Sequence, residues 1–80
     1  MDKRVTYDVV REFAGHQHNV EVELVKASED IFKHCKEEAM QVAVNGFFKS
    51  FSTIEELQEV LNDAIDNMFS IKVMDELVGG

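Results

Sequence analysis

Ile54, Leu57, Leu61, Ala64 and Met68 recur at steps of three and four residues, and Val60 and Ile65 widen the stripe they draw. That spacing places all of them on one face of an α-helix over about 54–69. Ser52 or Thr53 is placed to cap it, with Glu55 or Glu56 where a capping-box acid belongs. A helix apolar on one side is stable only against a second apolar surface, so the rest of the chain must supply one.

Two alternating segments can do so. In "KRVTYDVVREF" (3–13), Val5, Tyr7 and Val9 fall on one side. In "VEVELVKA" (20–27), Val20, Val22 and Leu24 face one way, while Glu21 and Glu23 face the other. With the polar turn "AGHQHN" (14–19) between them, they read as an antiparallel hairpin. Ser28 is a suitable N-cap, followed by Glu29 and Asp30 at the positive end of the helix dipole. Ile31, Phe32, Cys35 and Ala39 then predict a helix over about 28–40.

The stretch 41–46 reads in two ways. Val42 and Ala43 would continue that helix, with Asn45-Gly46 as a left-handed C-cap. Alternatively, "QVAV" starts a strand and Asn-Gly is a type I′ turn into a strand "FFKSF" (47–51), the reading slightly favoured. Ile71 and Val73 suggest a short last strand. The expected fold is α+β, roughly ββα(β)βαβ, a mostly antiparallel sheet with two amphipathic helices on one face. Phe47, Phe48, Phe51 and Phe69, with Met40, are expected in the core.

Eighty residues make one domain, 1–80, and a hydrophobic fraction of 45% is enough for a single core. Six Phe slightly exceed what that core needs, so a homodimer is expected. There is no proline, no linker and no internal repeat. A lone Cys35 forms no internal disulfide, "MDKRVTYDVV" has no apolar run of signal-peptide type, and no stretch is long enough to span a membrane. These features place the protein in the cytoplasm (the host cytoplasm, if it is phage-encoded).

Sixteen acids against eight bases give a formal charge of −8. Such a surface repels nucleic acid and anionic lipid and attracts basic partners. No basic residue lies between Lys49 and Lys72, where Glu55, Glu59, Asp63 and Asp66 form a row along the solvent side of the second helix. Like charges one turn apart stand ~6 Å apart along the axis and cost a helix ~0.2–0.5 kcal/mol per pair. A chain selected only for stability would intersperse lysines. The row therefore reads either as the solvated face of an acidic protein or as a surface for a basic partner. Glu21 and Glu23 are secondary members of that surface, with Asp8 and Glu12 nearby and Asp75 and Glu76 further on.

In size, charge and lack of a catalytic motif the chain resembles the small acidic inhibitors that phages make during host takeover, several of which are DNA mimics. The likeness is compositional and carries no residue roles. It implies a stoichiometric inhibitor, without direct contact to nucleic acid, that occupies the DNA-binding surface of a histone-like nucleoid protein, polymerase or nuclease.

A second set of features resembles the ubiquitin-like sulfur carriers of thiamine and molybdopterin synthesis. These are the terminal "LVGG" (77–80), "VREFAG" (10–15) after the first strand, and "VAVNG" (42–46) as the strand-turn after the main helix. A hairpin followed by a helix also opens the β-grasp fold. The resemblance implies a Gly-Gly tail threaded into an adenylating enzyme, with the Gly80 carboxylate activated as an adenylate. The carriers usually have Gly-Asp before the last strand and often prolines ahead of Gly-Gly; here "DNMFS" and "MDELV" stand instead, and a long helix fills the place of a short loop.

His16, His18, His34 and Cys35 match no zinc spacing, and neighbours on a helix point ~100° apart. Cys35 falls on the apolar stripe, away from any base that would activate it. No carboxylate pair is marked as an acid/base dyad, and no glycine-rich phosphate loop occurs. No catalytic residue, metal or cofactor is therefore assigned, and enzymatic activity is not expected.

Overall fold

The computed structural model describes residues 3–11 and 15–75, and at His16 the backbone alone. The elements run β1 (Arg4–Arg11), β2 (His16–Glu23), α1 (Leu24–Glu38), β3 (Met40–Val44), β4 (Phe47–Lys49), α2 (Ile54–Asp66) and β5 (Ile71–Asp75). The five strands form one sheet in the order β2-β1-β5-β3-β4, and only the β1–β5 pair is parallel. The fold is α+β, as the periodicities require.

Alternation decides which face is covered. Val5, Tyr7 and Val9 of β1, Ile71 and Val73 of β5, and Met40, Val42 and Val44 of β3 are buried, together with Ala27 and Ile31 of α1 and Leu57, Leu61 and Ala64 of α2. Both helices thus lie on one side of the sheet. Thr6, Glu21, Asp8, Asn19, Lys72 and Met74 belong to the other side, which no element covers among the described residues.

Several local expectations need correction. Strand β2 starts at His16, so His16–Asn19 pair with Arg11–Asp8 rather than forming a loop. Cross-strand pairing outweighs their weak strand preference, and Asn19 Nδ2 donates to Asp8 Oδ1 at 2.9 Å. Helix α1 starts at Leu24, four residues before the Ser28 of the expected cap. Leu24 belongs to the same helical stripe as Ala27 and Ile31, and its N–H donates to Lys3 O at 2.8 Å. Ser28 lies buried inside the helix, where its hydroxyl donates back to Leu24 O at 2.9 Å.

The open choice at 41–46 resolves in favour of a hairpin: Asn45 and Gly46 have φ of 52° and 86°, the left-handed pair a type I′ turn demands. Helix α2 stops at Asp66 rather than 69, because Met68 turns left-handed with φ 59° and Asn67 caps the last turn. Strand β4 ends at Lys49, and Phe51, half-buried, packs its ring 6.0 Å from that of Phe32.

Candidate functional site

Thr53 starts α2 with a closed capping box: its hydroxyl accepts from Glu56 N–H, and the Glu56 carboxylate accepts from Thr53 N–H. Glu56 is thereby committed to the helix end, whereas Glu55, Glu59 and Asp63 lie exposed along the outer surface with no ion pair among the described residues. Asp66 differs. Lys3 reaches it from the entry to β1 at 2.7 Å, and the same ammonium donates to Asn62 Oδ1 at 2.7 Å. The row therefore receives a counter-charge from a distant part of the chain, and three of its four carboxylates remain unneutralised.

The hairpin acids stand apart from that row. Glu21 pairs with Arg4 at 3.3 Å on the open face of the sheet, opposite the helices, and Glu23 precedes α1 as its N-cap without a side-chain cap bond. The sheet thus separates Glu21 from Glu55, Glu59 and Asp63. Glu12 and Glu76 lie outside the described residues, as do Leu77, Val78, Gly79 and Gly80.

The end of the sheet nearest Val44 has a different character. The 67–70 turn lies against the β3–β4 turn, with Asn45 N–H donating to Ser70 O at 2.8 Å. Between β4 and α2 opens a cleft of about 250 Å³, lined by Val44, Phe47, Val60 and Phe69, with Lys49 and Asp63 as its charged members. Phe47, Phe48 and Phe69, expected in the core, are 70%, 64% and 42% exposed, and Met68 is 92% exposed. Adjacent residues on a strand point to opposite faces, so Phe47 and Phe48 cannot both turn toward the helices. That adjacency was the available signal for an exposed aromatic.

Arg11, His34 and Glu38 form a hydrogen-bonded network where β1 ends beside the last turn of α1. The Arg11 guanidinium pairs with both Glu38 oxygens, the longer contact 3.4 Å, and His34 Nδ1 lies 2.7 Å from Glu38 Oε2. Hydrogen bonds from Arg11 and His34 hold the Glu38 carboxyl down at about 2. Burial raises the Tyr7 hydroxyl, with Asp30 adding to the effect, and burial alone pushes the Cys35 thiol up to about 11. Cys35 is therefore a poor nucleophile at neutral pH. No group of three or more His, Cys, Asp or Glu side chains able to hold a metal ion occurs among the described residues. No helix among them is long and apolar enough to cross a membrane. No protein-family model, curated protein or solved structure matches the chain.

Proposed function

We propose that the chain is a ubiquitin-like carrier protein, a β-grasp domain whose Gly79-Gly80 is the substrate of an adenylating enzyme. The observation that carries this reading is the sheet. A hairpin is crossed by a helix, and the last strand, β5, returns to the centre parallel to β1. This extends the β-grasp resemblance beyond the opening hairpin and helix. Asn45-Gly46 supports it as the turn after the main helix and its strand. At the place where the carriers have Gly-Asp, Met68 adopts the left-handed conformation glycine usually serves, so the backbone form is present although the residue is not. Helix α2, in place of a short loop, is the departure.

In that reading the Gly80 carboxylate attacks the α-phosphorus of ATP, pyrophosphate leaves, and an acyl-adenylate forms on the chain. The test is incubation of the full chain with a carrier-activating adenylating enzyme, ATP and Mg²⁺. The expected result is chain-dependent exchange of pyrophosphate into ATP and a mass gain of one adenylyl group (AMP less one water). Both should vanish on deletion of Gly80, with the melting temperature unchanged. Absence of exchange, or exchange that survives the deletion, overturns the reading.

A second reading is favoured by a different observation, the unneutralised row Glu55, Glu59 and Asp63. Here the chain is an acidic inhibitor that imitates DNA charge and occupies the nucleic-acid-binding surface of a basic cytoplasmic protein. Its homodimer would use the open sheet face, where Val10 and Met74 are register neighbours and Phe48 is exposed. A pull-down from lysate at low and high salt tests it: a basic DNA-binding protein is expected at low salt and lost at high salt. Capture indifferent to salt, or no such protein, counts against it.

A further inference from the structure

We propose that the chain pairs with a second copy of itself through β2, edge to edge, in one register set by its own side chains. The two edges of the sheet differ. Strand β4 is three residues long, whereas β2 runs for eight, pairs with β1 without a bulge from His16 to Glu23, and contains no lysine or proline. Shortness, bulges, lysine and proline are what usually keep an edge strand from accepting another. The hydrogen-bond phase of the hairpin fixes what the β2 edge offers. Leu24 N–H donates to Lys3 O at 2.8 Å, so Lys3 and Leu24 are a hydrogen-bonded pair, and such pairs alternate along an antiparallel ladder. His16, His18, Val20 and Val22 therefore turn their backbone groups toward β1, and Gln17, Asn19, Glu21 and Glu23 turn theirs outward. The Arg4 contact agrees with that phase: its Nη2 donates to Glu21 O at 3.3 Å, a carbonyl outside the β1 ladder. The side chains of the four outward residues are exposed, and no strand lies beside them among the described residues.

Symmetry then narrows the register. A two-fold axis normal to the sheet makes the two β2 strands antiparallel and keeps both helix layers on one side. Residues directly opposite each other must then face the same way, so the axis passes through a residue position. With Val20 on the axis, Asn19 of each copy faces Glu21 of the other, and Gln17 faces Glu23. All four turn their backbone groups outward, so each pair exchanges two backbone hydrogen bonds while an amide side chain meets a carboxylate. On the helix side, Val20 meets Val20 and Val22 meets His18, which adds cover to two half-buried valines at the rim of the core. Moving the axis to Asn19 or His18 sets a glutamate against Gly15, a turn residue with φ of 66°, and shortens the ladder. Moving it to Glu21 or Val22 opposes carboxylates. The occupant is a second copy because this one strand carries both halves of the match. A formal charge of −8 on each copy opposes the approach, so the dimer tightens as salt screens it. It requires neither Gly80 nor the α2 carboxylates, and it leaves the open sheet face uncovered.

The test is sedimentation velocity of the full chain from micromolar to millimolar concentration, at low and high salt. A dimer fraction that rises with salt is expected. Gln17 is exposed and sits opposite Val10 within its own hairpin, so charging it should not disturb folding. Gln17→Glu opposes Glu23 of the other copy and should weaken the dimer about two- to thirtyfold, and Gln17→Lys should tighten it by a similar factor. Glu55→Gln changes the net charge by the same single unit as Gln17→Lys without touching β2, and should leave the dimer nearly unchanged. Phe48→Ala, on the open face, should do likewise. With oxidised glutathione, Val20→Cys should form a disulfide-linked dimer, because residues opposite each other in a non-hydrogen-bonded pair bring their Cα atoms to ~4.5 Å. Val22→Cys should not. The proposal is overturned by a monomer mass at millimolar concentration in high salt, by equal association of the two Gln17 variants, or by linkage at position 22 in preference to 20. Loss of the dimer in Phe48→Ala also overturns it and assigns self-association to the open face.

Discussion

Lys3 Nζ lies 2.7 Å from Asp66 Oδ1 and holds the last turn of α2 to the start of β1, 63 positions earlier in the chain. Both side chains are about half exposed, so solvent screens the pair and its removal costs at most ~1 kcal/mol. Lys3→Ala should therefore shift the urea midpoint only slightly. The same change frees a fourth carboxylate on α2, so if the chain is the acidic inhibitor of the second reading, its capture of a basic DNA-binding protein should strengthen and fall more steeply with salt. Titrations of the variant at several ionic strengths check both parts.

Acid sensitivity should centre on Glu38. Its carboxyl is held near 2 against an ordinary 4.5, so the folded state prefers the ionised form. The resulting stability is fully present above about 4.5 and is lost as pH falls toward about 2. The surface position keeps the gain small. Urea midpoints between pH 5 and 2 should decline more in the native protein than in Glu38→Gln, and equal slopes would remove Glu38 from the account.

Met68→Gly should be neutral or stabilising, by up to ~1 kcal/mol. The substitution removes the left-handed penalty, offset in part by glycine's greater freedom in the unfolded chain. Almost none of the side chain is buried, so little packing is lost. Chemical denaturation measures the change, and a loss above ~1 kcal/mol would show that Met68 packs more than its exposure indicates.

Leu61→Ala, at a fully buried position where α2 meets the sheet, should cost ~2–5 kcal/mol. For so small a core this is a large share of the total stability, and narrowed amide dispersion in NMR spectra would accompany the drop in urea midpoint.

Cys35 should resist alkylation. With its thiol near 11 rather than 9.0, the thiolate population at pH 8 falls about a hundredfold below the ordinary value. Iodoacetamide labelling followed by mass spectrometry should be slow in buffer and fast in urea. Rapid labelling of the folded protein would place the thiol at the surface.

Periodicity made the architecture legible because both of its forms are explicit in the chain. Val5, Tyr7 and Val9 alternate, Leu57, Leu61 and Ala64 step as a helix, and all six are buried. Boundaries were harder where one residue fits two patterns. Leu24 ends an apolar alternation and also opens a helical stripe, and only packing against Ile31 and Ala27 decides between them. The parallel meeting of β1 and β5 left no local trace, since it depends on contacts some sixty residues apart. The acid row was visible as spacing, but its partner Lys3 was not, because a counter-charge from outside the helix cannot be read from the helix itself. Phe47 and Phe48 looked like core residues by type; on a three-residue edge strand their burial was never available.

The central position of β5 also constrains how the molecule is made. Strand β5 lies between β1 and β3, so the β1–β2 and β3–β4 hairpins belong to one sheet only through it. During synthesis the first seventy residues can form two helices and two hairpins, but the sheet between the hairpins stays open. Pairing strands so distant in sequence is slow, because much chain must be ordered before the contact forms. Until β5 leaves the ribosome, both hairpins expose backbone edges that invite chaperones or one another.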